Sequence, residues 1–324
     1  MTLRVDAVGA ARVLAAHRDV TVLCHLRPDA DALGSSAGLA RALRRDGVVV
    51  HQSFDPGIVP DGLRVIPGAE LVTPLADVPA HDGLIVVLDC ASADRAGDWG
   101  HLAEAASEIL VVDHHRSNPG FGTHMLLDPD AASTASLVLD VLEAGGWPAD
   151  DEVATALYSG LITDTGSFRW SDASAHETAR RLLAAGADAT VSFELLDAHS
   201  FSWLRTLGDL LGRVRLDEAA AGGRGAVWLE VPSRVIAEAS EDDVESLVTH
   251  LRVVREADVA VLLKEYLPEQ WAISLRSRSG GRPDGVDVSD VAAALGGGGH
   301  PAAAGCTQVG DAPSVIGRIR GLLG

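Results

Sequence analysis

Short apolar runs alternate with stretches of helical spacing through the first two-thirds of the chain. Residues 20–24 (VTVLC), 48–50 (VVV), 84–88 (LIVVL) and 109–112 (ILVV) are bounded apolar runs of strand length. Residues 10–16, 39–43 and 135–142 lie in stretches of helical character. Apolar strands separated by helices predict a parallel sheet covered by helices on both faces. From 150 to about 216 the strand signal gives way to helical spacing, with Gly166 and Gly186 as breakers. Residues 217–225 (DEAAAGGRG) are small and polar with no core face, which marks a boundary. Strand-like 226–231, 259–263 and 271–276, helix-like 244–254, a Gly-rich loop and a final helix over 313–323 follow. The pattern predicts an α/β protein in three parts. These are a first unit over 1–200, a helical linker and boundary over 201–224, and a smaller α/β unit over 225–324.

Composition agrees with two folded domains. The chain has 324 residues, and a domain takes roughly 150. At 47% apolar it can bury real cores. No apolar run approaches the roughly 18 residues of a membrane helix, and the N-terminus lacks the apolar segment of a signal peptide. Cys24, Cys90 and Cys306 lie far apart without CxxC spacing, which fits a reducing compartment rather than a disulfide framework. The expectation is a soluble cytoplasmic protein with no membrane partner. Against 26 Lys and Arg stand 46 Asp and Glu, a net charge of −20. That excess argues against a protein that coats long nucleic acid, whose affinity needs clustered basic residues. It leaves room for a small phosphate substrate where metal ions offset the carboxylates.

The informative residues follow the buried strands. VTVLC runs into His25, then Asp29 and Asp31; LIVVL runs into Asp89; ILVV runs into Asp113, His114 and His115. The carboxyl ends of parallel strands face one crevice, where ligands bind. One Asp in such a place is ordinarily a helix cap or turn residue. Three strands delivering His and Asp together are a different matter, because carboxylates cannot crowd into a small volume unless protons or cations neutralise them. Imidazole with carboxylate suits Mn, Fe or Zn, and the number of groups suggests two metals roughly 3.5–4 Å apart sharing a carboxylate.

The motifs His25-x-x-Pro28-Asp29-Ala30-Asp31-Ala-Leu-Gly34-Ser35, Asp89-Cys-Ala-Ser-Ala-Asp-Arg95-Ala-Gly97, Asp113-His114-His115 and Tyr158-Ser-Gly-Leu-Ile-Thr-Asp164-Thr-Gly166-Ser-Phe168 resemble, in order, those of the DHH phosphoesterases. Gly296–Gly299, with His300-Pro-Ala-Ala-Ala-Gly305, resembles the accessory domain of the subgroup that degrades short oligoribonucleotides and 3'-phosphoadenosine 5'-phosphate (pAp). Two positions depart from the family pattern: Ala30, where many members have Gly, and Ser136, where Glu is common.

The resemblance implies a DHH catalytic domain over 1–200 and a DHH-associated substrate domain over 225–324. It implies two Mn²⁺ per chain, with Mg²⁺ or Co²⁺ as substitutes, and hydrolysis by activated water. His25, Asp29 and Asp89 are the implied ligands of one ion, and Asp31, Asp89, His114 and Asp164 of the other, with Asp89 bridging. Asp113 is implied as the orienter of a histidine and His115 as the contact to the scissile phosphate or acid for its leaving oxygen. Arg116 and Asn118 are candidate substrate contacts. Arg276 and Arg278, on one strand face by alternation, and His300 are candidate phosphate contacts beside Gly298 and Gly299, whose N–H groups can cradle an anion. The implied substrates are short oligoribonucleotides from the 3' end, linear dinucleotides and pAp, with c-di-AMP a further candidate. A homodimer is the family expectation. The competing readings are a manganese-dependent inorganic pyrophosphatase and a non-catalytic nucleotide sensor on the same scaffold. The GGGGH segment disfavours the first, and the full set of ligand positions the second.

Overall fold

The computed structural model describes residues 2–169, 171–239 and 241–324, with Glu241 and Asp242 through their backbone alone. The chain divides into two compact units, Met1–Ala198 and His199–Gly324.

In the first unit the chain runs β1 (Leu3–Arg4), α1 (Ala7–Ala15), β2 (Asp19–Cys24), α2 (Ala30–Arg45), β3 (Val49–Phe54), β4 (Val72–Pro74), β5 (Leu84–Leu88) and α3 (Gly100–Ala105). It continues through β6 (Glu108–Asp113), β7 (His124–Leu127), α4 (Thr134–Gly145), α5 (Asp151–Asp164), α6 (Ala173–Ala184) and α7 (Val191–Leu196). The strands form one seven-stranded sheet in the order β1-β7-β6-β5-β2-β3-β4, and every pairing is parallel. Side chains alternate between its faces. Val20, Val22, Leu84, Val86, Leu110 and Val112 pack with Leu14, Leu39, Leu142 and Leu157 of the helices. Leu23, Ile85, Val87 and Val111 pack on the other side with Trp99 and Leu102. Burial on both faces explains why these strands read as unbroken apolar runs.

The connections decide where the site lies. From β2 the chain steps outward to β3 and β4, then returns to β5 on the opposite side of β2 and steps away through β6 and β7. Neighbouring strands whose connections leave in opposite directions open a crevice at their carboxyl ends. His25 and Asp89 follow β2 and β5, so they face this crevice.

Helices α2 and α5 approach closely along small residues. A Cβ on Gly34 would stand 2.3 Å from the Ala156 carbonyl oxygen, and one on Gly38 would stand 2.8 Å from Leu157 Cδ2. This crossing brings Asp31, at the start of α2, toward Asp164, at the end of α5.

The second unit holds α8 (Phe201–Leu211), β8 (Arg215–Asp217), α9 (Ala220–Gly223), β9 (Ala226–Val231), α10 (Ser233–Glu238) and α11 (Glu241–Leu251). β10 (Val259–Leu267), β11 (Gln270–Ser277), α12 (Val288–Ala294), β12 (Gly298–His300), β13 (Ala303–Val309) and α13 (Ala312–Leu323) complete it. Its sheet is mixed, in the order β12-β13-β11-β10-β9-β8, with β9 and β10 parallel. Residues 201–224, expected as a linker, fold with this unit: Trp203, Leu207 and Leu210 of α8 share a core with Val227, Leu229 and Leu247. Of the Gly-rich segment, expected as a loop, Gly298 and Gly299 join the edge strand β12 against β13, while Gly296 and Gly297 stay outside it. Glycine is required there, since a Cβ on Gly299 would lie 2.5 Å from the Ala303 oxygen. No helix among the described residues is long and apolar enough to cross a membrane.

Gly34→Ala should destabilise the protein, because its new methyl meets a backbone carbonyl that cannot turn aside. Overpacking costs about 1–3 kcal/mol, more than the roughly 0.5–1 kcal/mol that alanine gains in a helix. Gly38→Ala should cost less, since its methyl meets the Leu157 side chain, which can shift where a backbone carbonyl cannot, although Leu157 is itself buried in the core. Urea unfolding of both variants checks this order.

Candidate metal centre

Each strand end contributes a differently prepared group. After β2, His25 Nδ1 lies 2.8 Å from the Leu26 carbonyl oxygen, so Nδ1 carries a hydrogen and Nε2 turns to the crevice. His25 Nε2 lies 3.8 Å from Asp29 Oδ2 and 3.6 Å from Asp89 Oδ2. Asp29 is the N-cap of α2: its Oδ1 accepts from the backbone N–H of Asp31 and of Ala32, both at 3.0 Å. The cap and ligand readings of this residue are therefore compatible, one oxygen for each.

Asp89 follows β5 in a left-handed conformation, φ 56°, tied by its N–H to the Val112 oxygen at 3.1 Å. A non-glycine residue held there is sustained by its surroundings, and such positions cluster at functional sites. Its Oδ2 faces His25, while Oδ1 lies 3.6 Å from both His114 Nε2 and His115 Nδ1. One carboxylate thus looks toward two groups of imidazoles.

After β6, Asp113 is wholly buried and organises the turn. Its Oδ1 accepts from the His114 and His115 backbones and from His115 Nδ1 at 2.7 Å. Its Oδ2 accepts from Asn118 Nδ2 at 2.6 Å. The histidine that Asp113 orients is therefore His115, whose value it raises while burial opposes. His114 instead sets Nδ1 3.3 Å from the Ala131 oxygen and Nε2 3.3 Å from Asp164 Oδ2. Asn118, expected as a substrate contact, is corrected to an internal brace. It is 6% exposed and donates also to the Cys90 carbonyl oxygen. Arg116 is exposed and pairs with Asp130 at 3.3 Å.

Asp31 is fixed by a helix remote in sequence. Its Oδ2 accepts from the Thr134 N–H at 2.7 Å and its Oδ1 from the Ala135 N–H at 2.9 Å. The start of α4 thus meets a carboxylate with free donors and a favourable dipole. Gly160 of α5 makes room, since a Cβ there would lie 2.5 Å from Asp31 Oδ1. Thr134 Oγ1 donates to Asp89 Oδ1 at 2.8 Å. Sequence reading missed Thr134 and Gly160; Ser133-Thr134 signalled only a helix start. Ser133 does cap α4, accepting from the Ser136 N–H at 3.2 Å despite the absent Glu.

In the second unit, Arg276, Ala303 and His300 occupy one cross-strand row of the sheet. Arg276 is largely desolvated, which lowers its value, with Glu245 opposing. Arg278 is exposed, and its Nη1 donates to the carbonyl oxygens of Val254, Arg255 and Ala257, at 2.8, 3.3 and 3.2 Å. Carbonyls beyond the end of α11 lack helical donors and draw in the guanidinium. Gly298 and Gly299 pair with Gly305 and Ala304, so their backbone forms a strand edge rather than a loop.

The electrostatics of the crevice fit divalent cations. Ligand atoms of His25, Asp29 and Asp89, of Asp31, His114 and Asp164, and of Asp89, His114 and His115 lie within 4.8 Å of one another in each group. Burial pushes the Asp31 carboxyl well above its usual value, and the charges of Asp89, Asp164 and Asp29 push the same way. Burial likewise raises Asp164, to about 7, with His114 opposing and Asp89 adding. Burial opposes the charge on His25, but bonds to Asp29 and Asp89 override it and raise it to about 10. Carboxylates that resist ionising together, and imidazole nitrogens turned inward, are the donor set that metal ions neutralise.

A group whose folded value is raised binds more protons folded than unfolded, so stability falls as pH rises from its unfolded value to its folded one. For metal-free protein, Asp164 should subtract stability between about pH 4, the ordinary Asp range, and about pH 7. Asp164→Asn should remove that slope and leave the metal-free protein at least as stable at pH 8, while weakening its stabilisation by Mn²⁺. Thermal unfolding across pH, with and without Mn²⁺, checks both signs.

Residues 19–161 match the DHH family, N-terminal domain, and residues 231–319 match the DHHA1 domain. The bifunctional oligoribonuclease and PAP phosphatase NrnA of Thermus thermophilus is 33% identical over 90% of this chain and 84% of its own length. The cyclic-di-AMP phosphodiesterase PdeA of Listeria monocytogenes is 29% identical over 87% of this chain, which spans 43% of that protein. An exopolyphosphatase-related protein from Bacteroides fragilis has the same fold, with a TM-score of 0.86 at 22% identity over 98% of this chain and 95% of its own. With its ordered His and Asp motifs at the carboxyl ends of β2, β5 and β6 and a DHHA1 domain later in the sequence, the chain belongs to the DHH family of phosphoesterases.

Proposed function

We propose that the chain hydrolyses short oligoribonucleotides from the 3' end, linear dinucleotides and pAp, at a centre for two Mn²⁺ ions. The observation that carries this is Asp89, which turns one oxygen to His25 and the other to His114. That is the arrangement expected of a carboxylate shared by two ions. His25, Asp29 and Asp89 would hold one, and Asp31, Asp89, His114 and Asp164 the other. Bound there, divalent cations supply a water of lowered pKa and positive charge for the phosphoryl oxygens. Asp113 holds His115 with Nδ1 occupied, so Nε2 is the atom that can hold a proton for the leaving oxygen or bond a phosphoryl oxygen. Likeness to the Thermus oligoribonuclease and PAP phosphatase supports the substrate class. Likeness to the Listeria phosphodiesterase favours c-di-AMP as a second substrate. The net charge of −20 repels a long polyanion.

Purified protein with Mn²⁺ should cleave pAp and di- to pentanucleotides, with kcat/KM falling on longer strands. Asp89→Ala should abolish turnover of all of them. Equal efficiency on a long single strand, or preference for pyrophosphate, would overturn the reading, as would wild-type rates for the variant.

We assign the non-scissile phosphate to Arg276 and His300, which share a sheet row. A contact made equally in ground and transition states changes KM rather than kcat. A charge-assisted bond is worth about 1.5–3 kcal/mol, so Arg276→Ala should lower kcat/KM on pAp roughly ten- to a hundredfold. On bis-p-nitrophenyl phosphate, which has no second phosphate, the variant should match wild type, whereas Asp164→Ala should be inactive on both.

A further inference from the structure

We propose that Thr134 is a positioning residue that fixes the Asp89 carboxylate so that its two oxygens serve different metal ions. The inference rests on the two-metal reading above. Thr134 is fully buried, and its Oγ1 donates to Asp89 Oδ1 at 2.8 Å. Its backbone N–H donates at the same time to Asp31 Oδ2 at 2.7 Å. One residue at the first turn of α4 therefore grips a carboxylate from each of two elements, the α2 start and the β5 end.

The chemistry favours a hydroxyl here. The terminal torsion of an Asp side chain is broad, so an unrestrained carboxylate can rotate and exchange its oxygens. A donor on Oδ1 fixes the plane and leaves Oδ2 directed at His25, 3.6 Å away. A hydroxyl does this without adding charge, whereas a cationic donor would compete with the ions. It takes one lone pair of Oδ1 and leaves another for coordination. Branching at Cβ restricts χ1 of Thr to few rotamers, and full burial of Thr134 limits it further.

Removal of such outer hydrogen-bond partners typically costs ten- to a hundredfold in metal affinity. Thr134→Val keeps the shape and the backbone bond to Asp31 but deletes the hydroxyl. Calorimetric titration of Mn²⁺ into metal-stripped protein should show that loss in Thr134→Val, with Thr134→Ser within about threefold of wild type. The activity of Thr134→Val should recover at high Mn²⁺ with KM for pAp unchanged, which a purely structural defect would not allow. Unfolding of the metal-free variant checks its fold, and Thr134→Ala stands in if the valine protein does not fold. Wild-type affinity in a protein without the hydroxyl, or an equal loss in Thr134→Ser, overturns the role of Thr134. A wild-type titration without two Mn²⁺ sites overturns the metal reading itself, whatever the variants do.

Discussion

Mutual repulsion among Asp29, Asp31, Asp89 and Asp164 is the constraint around which the first unit is arranged. Each carboxylate is given a different local remedy. Asp29 spends an oxygen on the start of its own helix, Asp31 sits on the amides of α4, and Asp89 accepts from Thr134. In the metal-free protein, burial keeps the Asp164 carboxyl up near 7, and a proton held on His25 supplies positive charge where a cation would otherwise stand. A cation bound there would release protons, because the donors that could bind it are the ones that hold them.

The sheet supplies the frame for this crowding. Ligands follow β2, β5 and β6, neighbours at the middle of the strand order, rather than β1 or β4 at its edges. Asp31 and Asp164 come from helices instead, and their meeting depends on the small residues that let α2 and α5 close. The second unit answers a different demand. Its row of Arg276, Ala303 and His300 places two basic groups on either side of a small residue, on a sheet whose register fixes their spacing.

Much of this was legible in the sequence. Strand ends carrying His and Asp announced the crevice, because an apolar run bounded by such residues marks both a strand and its exit. The residues that brace the site were not. Thr134 lies 103 residues from Asp31, and a hydrogen bond across that separation leaves no local pattern. Asn118 read as a substrate contact because an amide near a catalytic turn looks the same whether it faces in or out. Strand parity placed Arg278 on one face with Arg276, but it could not show that the strand ends at Ser277 or that Val254, Arg255 and Ala257 turn carbonyls to Arg278 Nη1. The GGGG run read as a loop from composition, whereas its last two residues pair into a sheet edge, where Gly299 leaves no room for a Cβ. The helix at 201–211 read as part of a linker because its apolar face meets partners that come later in the chain.

The central position of β2 and β5 has a consequence for how the centre comes apart. Each is hydrogen-bonded along both sides, so their amides should exchange with solvent only in the largest openings of the unit. Fraying at β1 or β4 leaves the exits of β2 and β5 in place. The lifetime of this arrangement of His and Asp side chains is thus tied to the lifetime of the whole unit, and partial unfolding at the sheet edges would scarcely register in the crevice.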